Sequence, residues 1–130
     1  MFKIDWQSRT PIYQQIEHRV IELILIGELK EHDQLPSVRS MARELGINPN
    51  TIQKAYQDLE GRGIIYSASG RGNFIAAPEA AGEQKRQECF TALRKTVGDA
   101  KIAGIARDEI NSLVQEVYED QGDNRGEHHD

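Results

Sequence analysis

The sequence predicts an α+β fold that is mostly helical, with a helical N-terminal domain over residues 1–77 and a short two-helix region after it. Apolar residues recur at helical spacing in five stretches, whereas one glycine-rich turn separates two short stretches typical of β-strands. The charge is divided in the same way. Residues 1–77 hold nine basic and nine acidic side chains, and residues 78–130 hold seven and twelve, which accounts for the net charge of −5.

The first helix is predicted over residues 11–26. Thr10 is suited to cap its start, and Pro11 fits the first helical position because the N–H group that proline lacks would have no partner there. Apolar residues then follow every three or four positions, and Gly27 favours an end. The polar stretch up to Pro36 indicates a connection, with room for a short strand.

Two further helices are predicted on either side of a tight turn. Ser37 is suited to cap the second helix, and Gly46 fits the left-handed position that closes it. Asn48 is suited to cap the third helix, with Pro49 as its first residue. Two short helices joined in this way are typical of a helix-turn-helix, in which the second helix of the pair enters the major groove of DNA.

Polar side chains on the third helix favour an interaction with base edges. Asn50 and Gln53 can both donate to and accept from an adenine edge, whereas a lysine can only donate. Thr51 beside them suits either a phosphate contact or a local backbone hydrogen bond. On the second helix, Arg39 and Arg43 lie one turn apart on the same face and are suited to phosphate contacts.

A β-hairpin is predicted after the third helix. The apolar stretches 64–66 and 73–76 flank the turn "SASGRG", in which Arg71 lies between two glycines. A flexible basic tip of this kind is suited to a narrow minor groove, where the negative potential is enhanced. Residues 35–75 include five basic and three acidic side chains, so this segment is locally basic within an acidic protein.

Residues 78–84 are predicted to be a linker, because proline, glycine and small residues cluster there. Two amphipathic helices are predicted within residues 85–121, and residues 122–130, which lack apolar side chains, are predicted to be a disordered tail. Helices of this size cannot bury their apolar stripes alone, so we expect them to pair with a second copy of the chain. The residues expected at this dimer contact are Phe90, Leu93, Val97, Ile110, Leu113, Val114 and Val117.

Together these motifs resemble a known family. The stretch "LPSVRSMARELGINPNTIQKAYQDLEGRGIIYSASGRGNFI" is similar to the N-terminal winged helix-turn-helix of the GntR superfamily of bacterial transcription regulators, and the short C-terminal part resembles its YtrA subfamily. The resemblance implies a homodimer that binds a palindromic operator in double-stranded DNA, with a repressor favoured over an activator. The resemblance and the residues inferred above together predict the positions that contact DNA. They are Ser37, Arg39, Arg43, Asn48, Pro49, Asn50, Thr51, Gln53, Lys54, Ser69, Gly70, Arg71 and Gly72. Fatty-acid-type relatives carry arginine where this chain has Pro49 and Gln53, so guanine reading by arginine is not implied at those two positions.

Other function classes are disfavoured. The longest apolar run, at residues 23–26, is far too short to cross a bilayer, and the N-terminus lacks a secretory pattern, so we expect a cytoplasmic protein with no membrane partner. Because no nucleophile–base arrangement, phosphate loop or metal-ligand spacing is present, we expect no enzyme activity, no cofactor and no metal site. Cys89 is expected to be a small buried residue, and His128 and His129 in the tail are expected to be incidental.

Two alternatives stay open at this point. A winged helix can serve as a protein-interaction module without sequence-specific DNA binding. An architectural protein can bend DNA without reading it, although the weak net basicity disfavours this alternative. An unidentified small-molecule effector, acting at the dimer interface or at a hinge, is also compatible with the sequence.

Overall fold

The computed structural model describes the backbone of residues 1–128 and the side chains of residues 1–120. Its elements in chain order are α1 (Ile12–Leu25), α2 (Val38–Leu45), α3 (Pro49–Gly61), β1 (Ile65–Ala68), β2 (Gly72–Ile75), α4 (Pro78–Ile102) and α5 (Arg107–His128). The predicted fold class, α+β and mostly helical, is therefore confirmed. The chain divides into two compact units, an N-terminal unit (Met1–Gln87) and a C-terminal unit (Glu88–Asp130), and the division falls within α4.

The core of the N-terminal unit lies between α1, α3 and the hairpin. The predicted apolar stripe of α3, which is Ile52, Ala55, Tyr56 and Leu59, is fully buried. It packs with buried aliphatic residues of α1 and of both strands in one cluster. Because the apolar face of α3 is used for packing, the opposite, polar face must point to solvent.

The ends of α2 and α3 are fixed by the caps that the sequence predicts. The Ser37 hydroxyl accepts a hydrogen bond from the Ser40 N–H at 3.0 Å, and Gly46 closes α2 with the left-handed φ of 69°. The Asn48 side-chain oxygen accepts from the Asn50 N–H at 2.8 Å, and Pro49 is the first residue of α3. These predictions are confirmed.

The start of α1 differs from the prediction by one residue. Pro11 occupies the capping position, with no side-chain cap, and the helix begins at Ile12. Thr10 is not the cap, since its N–H donates to the Ser8 hydroxyl at 3.0 Å and its carbonyl accepts from the Gln15 amide at 3.0 Å. The Gln15 side chain thus fixes the entry to the helix in place of a threonine cap.

The hairpin pairs β1 with β2 in antiparallel register, from Ile65 opposite Ile75 to Ala68 opposite Gly72. The first strand starts one residue later than predicted and runs on to Ala68, so residues 69–71 form the tip. Residues 32–35 run beside β2. The Leu35 N–H donates to the Asn73 carbonyl at 2.9 Å, and the Ile75 N–H donates to the Asp33 carbonyl at 2.8 Å. The pairing is an isolated antiparallel bridge between Gln34 and Phe74, so the connection approaches the hairpin without forming a strand of its own.

The predicted linker at residues 78–84 is wrong, because these residues form the first turns of α4. Pro78 is tolerated at the start of a helix, and the alanine, glutamate and glutamine residues after it are strong helix formers. Gly82 costs only about 1 kcal/mol in such a context. Ala81 is buried against the core of the N-terminal unit, so the small residues provide a packing surface instead of a break.

The C-terminal unit contains the rest of α4 and α5. Gly104, with a φ of 88°, ends the first helix, and the Glu109 carboxylate accepts from the Ala106 N–H at 2.9 Å at the start of α5. Cys89 is exposed, so its predicted burial is wrong: the stripe beside it has no core to enter within the described residues. None of the helices in the described part of the chain combines the length and the apolar character needed to cross a membrane.

The predicted tail at residues 122–130 begins inside α5, whose backbone is assigned to His128. Residues 129 and 130, and the side chains from residue 121 onward, lie outside the described residues. The disorder predicted for the tail stays a prediction, as does the incidental role predicted for His128 and His129.

Candidate nucleic-acid interface

The candidate interface begins with two arginines of α2 beside the start of α3. Arg39 and Arg43 are both exposed, and neither forms an ion pair with any described residue. They line a shallow depression of about 250 Å³ together with Ala42, Ile47 and Pro49. The helix-turn-helix therefore places two uncompensated guanidinium groups next to the capped end of α3, where an anionic backbone would find both charge and fork-shaped donors.

The amide side chains at the start of α3 project outward. Pro49, Asn50 and Gln53 are exposed, as the proposed base-reading face requires. Asn48 is also exposed, but its side-chain oxygen is already occupied by the cap, so only its NH2 group is free to donate to another molecule. Thr51 is half-buried, and its hydroxyl makes no hydrogen bond with any other described residue.

Lys54 is held by an aromatic ring that sequence reasoning did not connect to it. Its ammonium lies 4.6 Å from the centroid of the Tyr13 ring on α1. A cation over a ring at this distance is attracted by about 0.5–1 kcal/mol at an exposed site. The Tyr13 ring is half-buried and packs against the core, so its contact with Lys54 joins a predicted DNA-binding residue to α1.

The tip of the hairpin presents the third group of predicted residues. Ser69, Gly70, Arg71 and Gly72 are all exposed, and Gly70 and Gly72 have φ values of 74° and 119°. The Arg71 N–H donates to the Ala68 carbonyl at 2.8 Å, which closes the turn. A residue missed by sequence reasoning, Gln34, donates its side-chain amide to the Arg71 carbonyl at 2.7 Å. No local pattern could have signalled this contact, because 37 positions separate the two residues.

A buried tyrosine of α3 bonds to the segment that precedes α2. The Tyr56 hydroxyl donates to the Pro36 carbonyl at 2.7 Å. Burial raises the pKa of Tyr56 well above its usual range, so the hydroxyl stays protonated and remains a donor at all physiological pH values. The bond joins α3 to the residue directly before the Ser37 cap of α2.

A buried carboxyl group links α1 to α3 on another side of the core. Glu17 is only 1% exposed, and one of its oxygens accepts from the Arg62 guanidinium at 2.7 Å. The pKa of Glu17 is raised to about 7, chiefly by burial and also by the neighbouring Asp58, whereas Arg62 opposes the shift. The other Glu17 oxygen has no partner among the described residues, which a protonated carboxyl tolerates better than a carboxylate.

The structure offers no metal centre in its described part. No group of three or more histidine, cysteine, aspartate or glutamate side chains among those residues could hold a metal ion.

Comparison with known proteins decides the family. The sequence profile described as "Bacterial regulatory proteins, gntR family" matches residues 12–75, from the start of α1 to the end of β2. The HTH-type transcriptional repressor YtrA of Bacillus subtilis (strain 168) is 39% identical over 122 residues, which cover 92% of this chain and 94% of the relative. The chain belongs to the GntR family. Its predicted resemblance to the YtrA subfamily is confirmed.

Solved structures support the same assignment for this GntR-family protein. A transcriptional regulator from Oenococcus oeni superposes with a TM-score of 0.76 at 27% identity, covering 91% of this chain and 99% of the other. The structure of AraR(DBD) in complex with operator ORE1 superposes with a TM-score of 0.50 at 26% identity, covering 58% and 93%. The protein is thus a GntR-family transcriptional regulator with a DNA-binding helix-turn-helix, and its relatives are regulators, not enzymes.

Proposed function

We propose that this protein is a cytoplasmic transcriptional repressor that binds a palindromic operator as a homodimer. The observation that carries the proposal is the pair of exposed arginines, without ion-pair partners among the described residues, beside the capped start of α3. Two comparisons support it: the similar YtrA protein is named a repressor, and the AraR(DBD) structure contains an operator.

The start of α3 is proposed to enter the major groove. Asn50 and Gln53 point outward from the face opposite the buried stripe, and both can donate to and accept from a base edge. Arg39 and Arg43 then contact the backbone on the near side of the groove, where they supply affinity and orientation but no direct sequence information. Arg71 at the hairpin tip is proposed to contact the adjacent minor groove.

The homodimer is supported by the apolar surface of the C-terminal unit. Most of the residues predicted at the dimer contact are exposed: Phe90, Leu93, Val97, Leu113, Val114 and Val117, while Ile110 is half-buried. Exposed apolar side chains concentrated in one small unit are typical of a protein–protein contact. A twofold axis through such a contact presents two copies of α3 to successive major grooves, which is why we propose a palindromic operator.

A small-molecule effector has a candidate cleft in the same unit. The cleft has a volume of about 560 Å³ and is lined by Val97, Lys101, Ile105, Arg107, Ile110 and Asn111. This volume falls within the range of about 300–1,000 Å³ that small ligands use. The lining supports the predicted effector and favours a ligand with an apolar body and an anionic group.

Selection from random DNA duplexes tests the proposed function. The full chain should enrich a palindromic consensus, and its affinity for that duplex should fall steeply as salt is raised, because phosphate contacts release counterions. A protein that enriches no consensus would contradict the proposal and favour the protein-interaction alternative.

Substitutions sharpen this test. Arg39→Ala and Asn50→Ala should each weaken binding to the selected duplex, and Asn50→Ala should also relax the preference at the base that it contacts, by about 1–3 kcal/mol. The matched control is Arg94→Ala, which removes an exposed arginine of α4. Equal binding by all three variants would place the DNA contact elsewhere.

A further inference from the structure

Gln34 lies in the connection between α1 and α2, outside every element predicted to contact DNA. Its side-chain amide nevertheless reaches the hairpin tip and donates to the Arg71 carbonyl at 2.7 Å. The Arg71 N–H donates to the Ala68 carbonyl at 2.8 Å. Both backbone polar groups of Arg71 are therefore bonded, one within the hairpin and one to Gln34.

Gly72 leaves space for the Gln34 amide because glycine has no Cβ atom. A Cβ atom on residue 72 would lie 2.6 Å from Nε2 of Gln34, far inside contact distance. The φ of 119° at Gly72 also disfavours any residue with a side chain. The glycine thus permits both the turn and the close approach of the amide that holds it.

The backbone next to Gln34 connects the tip to α3. The Leu35 N–H donates to the Asn73 carbonyl of β2 at 2.9 Å. The Pro36 carbonyl accepts from the buried Tyr56 hydroxyl of α3 at 2.7 Å. Residues 34–36 are consequently bonded to the hairpin on one side and to the proposed reading helix on the other.

We propose that Gln34 is a positioning residue, which fixes the Arg71 backbone relative to α3 so that both reach one operator half-site together. The inference rests on the proposed function, since it assigns Gln34 a role in operator binding. Gln34 acts through Arg71. Without the Gln34 side-chain donor, the hairpin tip keeps its fold but is no longer held in one position relative to α3. Arg71 must then be ordered when DNA binds. Ordering a flexible segment on binding lowers affinity.

A double-mutant cycle on the full chain tests this role, with the duplex selected by the wild-type protein. Gln34→Met keeps the length of the side chain and removes the donor. In the wild-type background it should weaken binding by about 2- to 10-fold, the equivalent of one hydrogen bond. In the Arg71→Ala background it should have almost no effect, because the group that it positions is gone.

Two controls separate positioning from a general loss of stability. In the Arg39→Ala background, Gln34→Met should weaken binding by the same factor as in the wild type, since Arg39 does not depend on the tip. Gln87→Met, which removes a glutamine hydrogen bond of 3.4 Å on α4, should leave binding unchanged. Thermal melting of each variant shows whether Gln34→Met has altered folding.

Three results would overturn the inference: no loss of affinity in Gln34→Met, an equal loss in the Arg71→Ala background, or no effect of Arg71→Ala itself. The failure of the proposed function looks different. In that case the wild-type protein would bind the selected duplex no better than a scrambled duplex of the same length.

Discussion

The two units of this chain differ in how far their apolar side chains are buried. In the N-terminal unit the apolar faces of α1, α3 and the hairpin close on one another, and the aliphatic core residues are almost fully buried. Among the described residues of the C-terminal unit, no apolar side chain is buried, and Leu93, Leu113 and Val117 are each more than half exposed. The first unit contains its own core, whereas the described residues of the second form none, which is why we propose that it pairs with a second copy.

The contrast supports the proposal that one unit binds DNA and the other pairs two copies of the chain. In the N-terminal unit the buried apolar residues hold α3 with its polar face outward, and this face is the surface that we propose reads DNA. The exposed apolar residues of the C-terminal unit form the surface that we propose contacts a second copy. The predictions below test this division, from the largest expected effect to the smallest.

The largest effect is expected from a charge placed in the apolar surface of α5. Leu113→Glu should give a monomer, because an unpaired carboxylate cannot be buried in the dimer contact. Operator affinity should then fall by about 100-fold or more, since two linked reading heads bind far more tightly than one. Light scattering and duplex titration measure the two effects.

The matched control for that substitution is Ser112→Glu, which adds the same charge to the neighbouring exposed position on α5. It should leave both the dimer and the operator affinity unchanged. A Leu113→Glu protein that remains dimeric would show that the contact between copies lies outside this surface.

The second prediction compares two leucines that differ in burial. Leu59 is 0% exposed and Leu93 is 56% exposed. Leu59→Ala should lower the free energy of unfolding of the N-terminal unit by about 2–5 kcal/mol, the usual range for a core leucine. Leu93→Ala should leave that unit unchanged and act only on dimerisation. Denaturant titrations at several protein concentrations separate the two, and equal, concentration-independent losses would refute the division.

The third prediction concerns Glu17, whose pKa is raised from 4.5 to about 7 in the folded protein. Between these values the folded protein holds a proton that the unfolded chain has released. Its stability contribution is therefore full below pH 4.5 and is lost as the pH rises to about 7. The free energy of unfolding should fall by up to about 3 kcal/mol over this window.

Glu17→Gln provides the matched control, because the amide has nearly the same shape and does not titrate. The difference between the two proteins isolates the contribution of Glu17 from that of every other group. The variant should lack this fall and should be more stable than the wild type at pH 8. Parallel pH profiles would mean that Glu17 is ionised in the folded protein.

The smallest effect is expected at the cap of α3. Asn48→Ala should cost about 1 kcal/mol of stability by removing the hydrogen bond to the Asn50 N–H, whereas Asn48→Ser should retain the cap. Thermal unfolding measures this difference. If Asn48→Ser keeps the stability but loses operator affinity, the free NH2 group of Asn48 contacts DNA; if affinity is retained, Asn48 acts only as a cap.

Local signals predicted most of the N-terminal unit. The caps at Ser37 and Asn48, the glycine that ends α2 and the buried stripe of α3 each depend on residues within one or two helical turns. The linker prediction fails at the first turns of α4 because proline, glycine and alanine residues such as Pro78 and Gly82 are common both in linkers and at helix starts. The burial of Ala81 decides between them, and burial is a property of the tertiary fold.

The contacts that support the candidate interface could not be predicted from the sequence, for a different reason. Three contacts join residues that are far apart in the chain: Gln34 with Arg71, Tyr13 with Lys54, and Glu17 with Arg62. Each partner has an ordinary local context, so its role is defined only when the fold brings the second residue to it. The residue types at the surface were predictable, but the contacts that hold them were not.

The central claim is that DNA binds the surface formed by α2, the start of α3 and the hairpin tip. The most direct measurement is backbone NMR of the isotope-labelled protein with the selected operator and with a scrambled duplex. Operator-specific shifts at Arg39, Asn50 and Arg71, with α5 unchanged, are the predicted result. Shifts concentrated in the C-terminal unit, or identical shifts with both duplexes, would contradict the account.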